Sequence, residues 1–340
     1  MRKPDFENNL LQVLWGKKPR RATLFELYLN EEIYQKLAGH GWDGETQLSY
    51  MKMVVDAMAA GGYDYAPIVI PGFTFPQKAR AHAATVSLNG SGMIGDRESF
   101  DAYVWPDADK ADYGILDQLA AYMPEGLKLC VEGPCGVLEN TIAIVGYDNL
   151  CFMIHDDPDL VKDITDRVGS CLVQYYRNAA KHPAVGFICS NDDWGFNTQT
   201  FLSPKDMRKY IFPWHKKIAA VAHEAGKPCM LHSCGEFREV LEDMIGDIRF
   251  DARHSYEDNI IPVEEAYELL AGRIAVMGGM DMNLMTKGTP QEIYDRASAM
   301  LARTKDRGGY ALGSGNSIAP YIPVENFMAL IRAAADTDEQ

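Results

Sequence analysis

A histidine and a cysteine separated by one residue, His232 and Cys234, lie in the stretch LHSCG. Residues two apart on an extended chain point to the same side, so the imidazole and the thiol would face one point. Zinc binds these two side chains, and catalytic zinc sites combine three protein ligands with one open position. Glu257 follows a later strand and is our candidate for the third ligand. The alternative interpretation is that His232 is a hydrogen-bonded pocket residue and Cys234 a buried thiol.

The elements that must position this pair follow a repeated order: a short apolar run, a turn and a segment with helical periodicity. Eight strands are predicted, at residues 21–27, 65–71, 127–133, 185–190, 227–232, 249–255, 273–279 and 310–316. Eight strands with intervening helices predict an α/β fold, a (β/α)8 TIM-type barrel in a single domain over residues 1–340. A doubly wound open sheet is the alternative, but no glycine-rich phosphate loop follows the first strand.

One connection is longer than the others, because residues 71–112 separate a strand from the next helix. Loops of this length are usually lids or subdomains. The stretch ATVSLNGSGMI within it predicts a hairpin around Asn89 and Gly90. We therefore expect residues 71–112 to form a capping insertion over the mouth of the barrel.

Polar side chains follow the late strands, at the end of a barrel where active sites form. Asp192 and Asp193 are the candidate catalytic residues, and Asp193 is predicted to be a pocket acid or base. We expect one of the two aspartates to point into the barrel, the alternative for either being a helix cap or a solvated turn. The candidate substrate-binding residues at the same strand ends are Asn191, Trp194, His254, Asp281 and Asn316. For His254, a buried imidazole bonded to the backbone is the alternative.

Composition excludes several classes of partner. The chain has 33 Lys and Arg against 48 Asp and Glu, a net charge of −15, which repels nucleic acid and anionic lipid. No apolar stretch is long enough to cross a membrane, and the opening residues lack the pattern of a secretory signal. Seven cysteines, an odd number, do not suggest a disulfide framework. A cytoplasmic protein is the expectation.

The order of several motifs resembles the uroporphyrinogen decarboxylase superfamily. These motifs are F-x-S-P…P from Phe201 to Pro213, then HSCG, GGMD, GTPQEI and PVEN. The resemblance is strongest over residues 185–335 and implies a distorted (β/α)8 barrel. It also implies one of two chemistries: metal-free decarboxylation of uroporphyrinogen, or zinc-dependent methyl transfer between a corrinoid protein and a thiol.

Each branch of the family has a pattern that this chain meets only in part. In the methyltransferase branch, a His-x-Cys pair and a second cysteine near the last strand bind zinc. His232 and Cys234 match the pair, whereas Ser314 and Asn316 stand where the second cysteine is expected. The decarboxylase branch has an arginine-containing signature soon after the first strand, where this chain has the acidic stretch LFELYLNEEI. An acidic mouth would repel a substrate that carries many carboxylates.

Methyl transfer is accordingly the first prediction for the function. Zinc held by His232, Cys234 and Glu257 is the expected cofactor, together with a corrinoid carried by a partner protein. The alternatives are a metal-free uroporphyrinogen decarboxylase, in which Asp193 or another acid protonates a carbanion, and a barrel that binds a tetrapyrrole or corrinoid without turnover. The expected partners are a small-molecule or tetrapyrrole substrate, a corrinoid protein and a second copy of the chain in a homodimer.

Overall fold

The computed structural model describes residues 2–77, 92–270 and 272–338. Seven parallel strands form one sheet and pair in chain order. They are β1 Tyr65–Val69, β2 Lys128–Glu132, β3 Val185–Asn191, β4 Cys229–His232, β5 Ala252–His254, β6 Ala275–Met277 and β7 Tyr310–Ala311. Helices lie between consecutive strands, and the connection from β4 to β5 consists of a 3-10 turn at Arg238–Val240 and a π-helix at Asp243–Ile248. The fold is therefore a mixed α/β fold with a parallel sheet, as the sequence predicts.

The helices precede, connect and follow these strands. They are α1 Leu10–Leu14, α2 Glu31–Ala38, α3 Gln47–Gly61, α4 Arg97–Ala102, α5 Gly114–Ala120, α6 Val137–Val145, α7 Tyr147–Asp156, α8 Pro158–Ala180, α9 Pro204–Asp206, α10 Phe212–Glu224, α11 Val263–Leu270, α12 Met282–Lys287, α13 Pro290–Thr304 and α14 Val324–Thr337. Within the described ranges, no helix is by itself long and apolar enough to cross a membrane. Only α6 and α7 together reach that length, and the chain bends by 93° between them.

The predicted first strand, residues 21–27, is present only as a single bridge. Leu24 pairs in parallel with Leu312, whose carbonyl accepts from the Phe25 N–H at 2.8 Å. On the other side, the hydroxyl of Tyr65 in β1 accepts from the Glu26 N–H at 2.9 Å and donates to the Glu26 carbonyl. One phenol therefore takes both backbone groups that a ladder to β1 would use. The predicted first strand thus adds one bridge to the seven strands of the described sheet, and a closed barrel of eight strands stays a prediction.

The capping insertion predicted at residues 71–112 is described only in part. Residues 78–91, which include the predicted hairpin at Asn89 and Gly90, lie outside the described residues. The described remainder contains α4 and a short 3-10 helix at Ala108–Lys110. A capping role for this segment stays a prediction.

Aromatic rings fill part of the space between the strands and lead toward the polar strand ends. Phe187 lies 5.3 Å from Tyr65, ring centre to ring centre, and Tyr65 stacks on Phe25 at 5.6 Å. Phe25 in turn meets the imidazole of His254 edge-on at 5.1 Å. The apolar core thus ends on a histidine, and from there onward the side chains are polar.

Candidate metal centre

The carboxyl ends of β3, β4 and β5 bring three polar residues into one row. Asn191 pairs with His232, and His232 pairs with His254. The next backbone groups continue this pairing, because the Asp192 N–H donates to the His232 carbonyl at 2.9 Å. Similarly, the Ser233 N–H donates to the His254 carbonyl at 2.7 Å. The residues that follow each strand are therefore held side by side.

Three potential metal ligands meet at this edge: Asp193, His232 and Cys234. One ligand atom from each lies within 4.8 Å of the others. The Cys234 Sγ is 3.9 Å from the His232 Nε2, which is 3.9 Å from the Asp193 Oδ1. A tetrahedral zinc ion spaces its ligand atoms by roughly 3.3–3.8 Å, so these donors already lie near bonding positions. Sulfur, nitrogen and oxygen together form a donor set that suits zinc.

A chain of hydrogen bonds aims the His232 lone pair at this point. The Ser314 carbonyl can only accept, so the His254 Nε2, 3.0 Å away, must donate to it. In a neutral ring this leaves the His254 Nδ1 as an acceptor, and the His232 Nδ1 donates to it at 2.8 Å. The His232 Nε2 is then unprotonated and faces Cys234 and Asp193. This is the tautomer that a metal ligand requires.

Burial keeps both imidazoles neutral. It lowers the pKa of His232 to about 3, with a smaller contribution from the positive charge of Arg253. It also lowers the pKa of His254 well below its usual value, and the neighbouring His232 adds to this effect. Burial and the nearby Asp193 carboxylate raise the pKa of the Cys234 thiol. At neutral pH the rings of His232 and His254 are thus neutral, and the Cys234 thiol is protonated.

We expect His254→Leu to weaken zinc binding, because the substituted side chain no longer sets the tautomer of His232. Partners of this kind typically contribute about 10–100-fold to metal affinity, and a loss in that range is expected. A competition titration against a chromophoric chelator measures the change. His254→Asn, which keeps an acceptor and a donor, should recover part of the loss. Unchanged zinc affinity in His254→Leu would contradict the hydrogen-bond chain.

The Cys234 sulfur also receives contacts from the loops after β5 and β7. The Asn316 Nδ2 lies 3.3 Å from it, and the Asn316 Oδ1 accepts from the Ser317 N–H at 2.8 Å, which fixes the orientation of the amide. The Ser255 hydroxyl is 3.8 Å from the same sulfur. Asn316, one of the two residues found where a second cysteine was expected, therefore contacts Cys234 directly.

Arg253 is a residue of this centre that sequence reasoning missed. Its guanidinium is buried, donates to the Ser233 carbonyl at 3.0 Å and to the Ser255 carbonyl, and stacks on the ring of Phe237 at 3.8 Å. It thus holds the chain beside Cys234 and beside His254. The signal in the sequence was an arginine within a predicted strand, between Ala252 and His254.

Asp192 lies outside the group of three potential ligands, and the catalytic role predicted for it stays a prediction. The residue is fully buried, and its carboxylate accepts from the Leu138 and Glu139 N–H groups, both at 2.9 Å. It also accepts from the His215 Nε2 at 2.8 Å and the Trp194 indole at 3.3 Å. Asp192 therefore caps the start of α6. Of the two aspartates, Asp193 is the one that points to the site, as expected for one of the pair.

The side chains of three predicted substrate-binding residues make hydrogen bonds within the protein. Trp194 is buried against Phe212 and donates its indole N–H to Asp192, and its predicted contact with substrate stays a prediction. The Asn191 Oδ1 accepts from the Gly133 N–H at 3.2 Å and so ties β3 to the end of β2. Asp281 accepts from two N–H groups at the start of α12, at 2.8 and 3.1 Å. These contacts occupy side chains that we expected to be available.

Glu257 lies outside the group of three potential ligands, in which Asp193 is the carboxylate. Burial raises the pKa of Glu257, and the carboxylates of Asp281 and Asp193 add to this effect. Glu257 is thus part of the acidic surroundings of the site. Zinc binding by His232, Cys234 and Glu257 stays a prediction, and the observed geometry adds Asp193 as a candidate third ligand.

Comparison with known proteins gives a family model that matches residues 130–337, more than half of the chain: uroporphyrinogen decarboxylase (URO-D). A methylated-thiol–coenzyme M methyltransferase from Methanosarcina mazei is 23% identical over 195 residues, covering 57% of this chain and 49% of the relative. A uroporphyrinogen decarboxylase from Anaeromyxobacter dehalogenans is 27% identical over 132 residues, covering 39% and 36%. The alignments thus span about half or less of these curated relatives.

Among solved structures, a methyltransferase from Methanosarcina mazei superposes with a TM-score of 0.72 at 17% sequence identity. The match covers 98% of this chain and 99% of the other. At this level of identity, the likeness shows a shared fold. It supports the α/β architecture derived above from the strand order.

Proposed function

We propose a function from the premise that this chain belongs to the uroporphyrinogen decarboxylase family. The proposed function is methyl transfer to or from a thiol, assisted by a metal and involving a corrinoid protein. The observation that carries it is the group of Asp193, His232 and Cys234, whose ligand atoms converge at the end of the sheet. A relative that methylates coenzyme M adds support, since a catalytic zinc with an open position binds a thiol well.

In this proposal the side chains divide into ligands and groups that orient them. Asp193, His232 and Cys234 would hold zinc, which when bound lowers the pKa of a substrate thiol and keeps it as a thiolate. The His254 imidazole presents the His232 lone pair, and the Asn316 amide donates to the Cys234 sulfur. The Cys234 N–H donates to the Asp193 Oδ1 at 2.8 Å and keeps that carboxylate turned inward.

Metal analysis and a methyl-transfer assay test the proposal together. We expect about one equivalent of zinc per chain and zinc-dependent loss of the methyl group of methylcobalamin in the presence of coenzyme M. Asp193→Ala should lose both the metal and the activity. A protein that purifies without metal and consumes uroporphyrinogen would contradict the proposal. Tight corrinoid or tetrapyrrole binding without product in either assay would favour the non-catalytic alternative.

Among the described residues around the candidate site, no cluster of cationic side chains forms the pocket that the decarboxylase substrate would need. Arg253 is the arginine at this edge of the described sheet, and backbone carbonyls of Ser233 and Ser255 occupy its guanidinium. The segment after residue 25 places the buried Glu26 beside the site loop instead of an arginine. The single domain over residues 1–340, the cap at 71–112 and the homodimer remain part of the proposal.

A further inference from the structure

The hydroxyl of Ser314 has two neighbours that both need its single hydrogen. Its Oγ lies in hydrogen-bond contact with the Glu26 Oε2 and with the Asn316 carbonyl. A carbonyl can only accept, so the Ser314 hydrogen is directed to Asn316. The contact with Glu26 is then favourable only if the carboxyl group itself carries a hydrogen and donates it to the Ser314 Oγ. A carboxylate in this position would place lone pairs against lone pairs.

The remaining oxygen of Glu26 completes the arrangement. The Glu26 Oε1 accepts from the Ser314 N–H at 2.9 Å. Glu26 and Ser314 are both fully buried, so water does not replace any of these partners. A protonated carboxyl group supplies one acceptor and one donor, and Ser314 presents their complements. The pair is therefore a matched cyclic contact between the N-terminal segment and the loop after β7.

The charged and titratable surroundings of Glu26 favour its neutral form. Burial raises the pKa of this carboxyl group to about 8. A charge on Glu26 would raise the pKa of four phenols in the elements packed around it: Tyr34, Tyr63, Tyr65 and Tyr310. Burial raises the pKa of each phenol as well, so they stay neutral and supply no counter-charge.

Ser314 connects this carboxyl group to two parts of the metal centre. The Ser314 carbonyl accepts from the His254 Nε2 at 3.0 Å. The Ser314 hydroxyl donates to the backbone carbonyl of Asn316, and the side-chain amide of Asn316 lies 3.3 Å from the Cys234 Sγ. We propose that Glu26, in its protonated form, is the positioning residue that holds the 313–316 loop against Cys234. The inference rests on the hydrogen bonds of the loop and stands whether or not the chain transfers methyl groups.

Ionisation of Glu26 should therefore loosen the loop, in a pH range that linkage defines. The pKa of Glu26 is about 8 when the loop is closed, whereas an exposed glutamate has a pKa of about 4.5. The stabilising contribution is fully present below about pH 4.5 and is lost as the pH rises to about 8. In that window, loop protection should fall by up to about tenfold per pH unit, and it should level off above pH 8.

Hydrogen–deuterium exchange of peptides that cover residues 312–318 tests the proposal from pH 5 to 9, after correction for intrinsic exchange rates. The wild-type protein should show the falling protection. Glu26→Gln, which stays neutral and keeps one donor and one acceptor, should remove the slope while keeping the loop protected. Glu132→Gln is the matched control, because burial also raises the pKa of Glu132 to about 8, but its contact is with Tyr28.

Difference infrared spectra provide a second measurement, independent of the loop. Wild type minus Glu26→Gln at pH 7 should contain the C=O stretch of a protonated carboxyl group. A carboxylate band in its place would overturn the proposal. The proposal would also be overturned if exchange protection of the wild-type loop did not change with pH, or if it changed equally in the wild type and in Glu26→Gln.

Discussion

Asp192→Ala is expected to lower the free energy of unfolding by about 3–5 kcal/mol, the largest loss of stability that we predict for a residue near the site. The substitution removes a buried carboxylate that accepts from the Leu138 and Glu139 N–H groups, the His215 ring and the Trp194 indole. All four donors would lose their acceptor, and two of them begin α6. Urea denaturation followed by circular dichroism measures the change.

The neighbouring residue is the matched control for this experiment. Asp193 is about one-third exposed and caps no helix, so Asp193→Ala should change stability by less than about 1 kcal/mol. It should instead lose zinc, whereas the folded fraction of Asp192→Ala should retain it. Two adjacent aspartates would then separate stability from metal binding. If both variants lost stability equally, or both lost metal equally, the division of roles between them would be wrong.

Cys234→Ser is expected to reduce zinc affinity by at least about 100-fold. Cys234 supplies the sulfur of the ligand group, and a serine hydroxyl is a far weaker ligand that stays protonated at neutral pH. Competition with a chromophoric chelator gives the affinity, and the methyl-transfer assay should fall in parallel. The hydroxyl nearly preserves volume, so the thermal midpoint of the metal-free protein should change little.

Cys151→Ser controls for the general loss of a thiol. Cys151 lies in α7, away from the ligand group, and is only half-buried. This variant should bind zinc as the wild type does. Wild-type zinc affinity in Cys234→Ser would place the metal elsewhere and would remove the main support for methyl transfer.

The local part of the site could be predicted from the sequence, because two residues at i and i+2 on one strand end need no knowledge of their neighbours. His232 and Cys234 are such a pair. The third ligand depends instead on how β3, β4 and β5 are staggered, and the pairing of Asn191 with His232 brings Asp193 to the sulfur. Composition and periodicity do not encode that stagger, so Glu257 was an equally reasonable choice.

The two aspartates show a second limit. Alternation along the chain predicts that one side chain of Asp192 and Asp193 faces the site, but not which one. The answer depends on α6, whose first N–H groups lie behind β3 and require an acceptor there. The free N–H groups of α6 are more than fifty residues from Asp192 in the sequence, so their need for an acceptor can be recognised only in the folded structure.

The predicted first strand failed to form a ladder for a similar reason. Its apolar residues fit a strand, and they pack as expected. The large side chain of Tyr65, however, reaches across and binds both backbone groups of Glu26. A tyrosine in the neighbouring strand carries no sequence signal that it will replace backbone pairing.

This phenol also makes the sheet uneven in its resistance to opening. Neighbouring strands from β1 to β7 are joined by backbone ladders, whereas the hydrogen bonds described between Glu26 and β1 are the two made by the Tyr65 hydroxyl. Local unfolding begins where the fewest hydrogen bonds must break, so the sheet should open first between Glu26 and β1. Because Phe25 stays bonded to Leu312, the N-terminal segment and the end of the last strand would move as one unit. Asn316 follows β7 and would move with the N-terminal segment, whereas Cys234 follows β4 and would not.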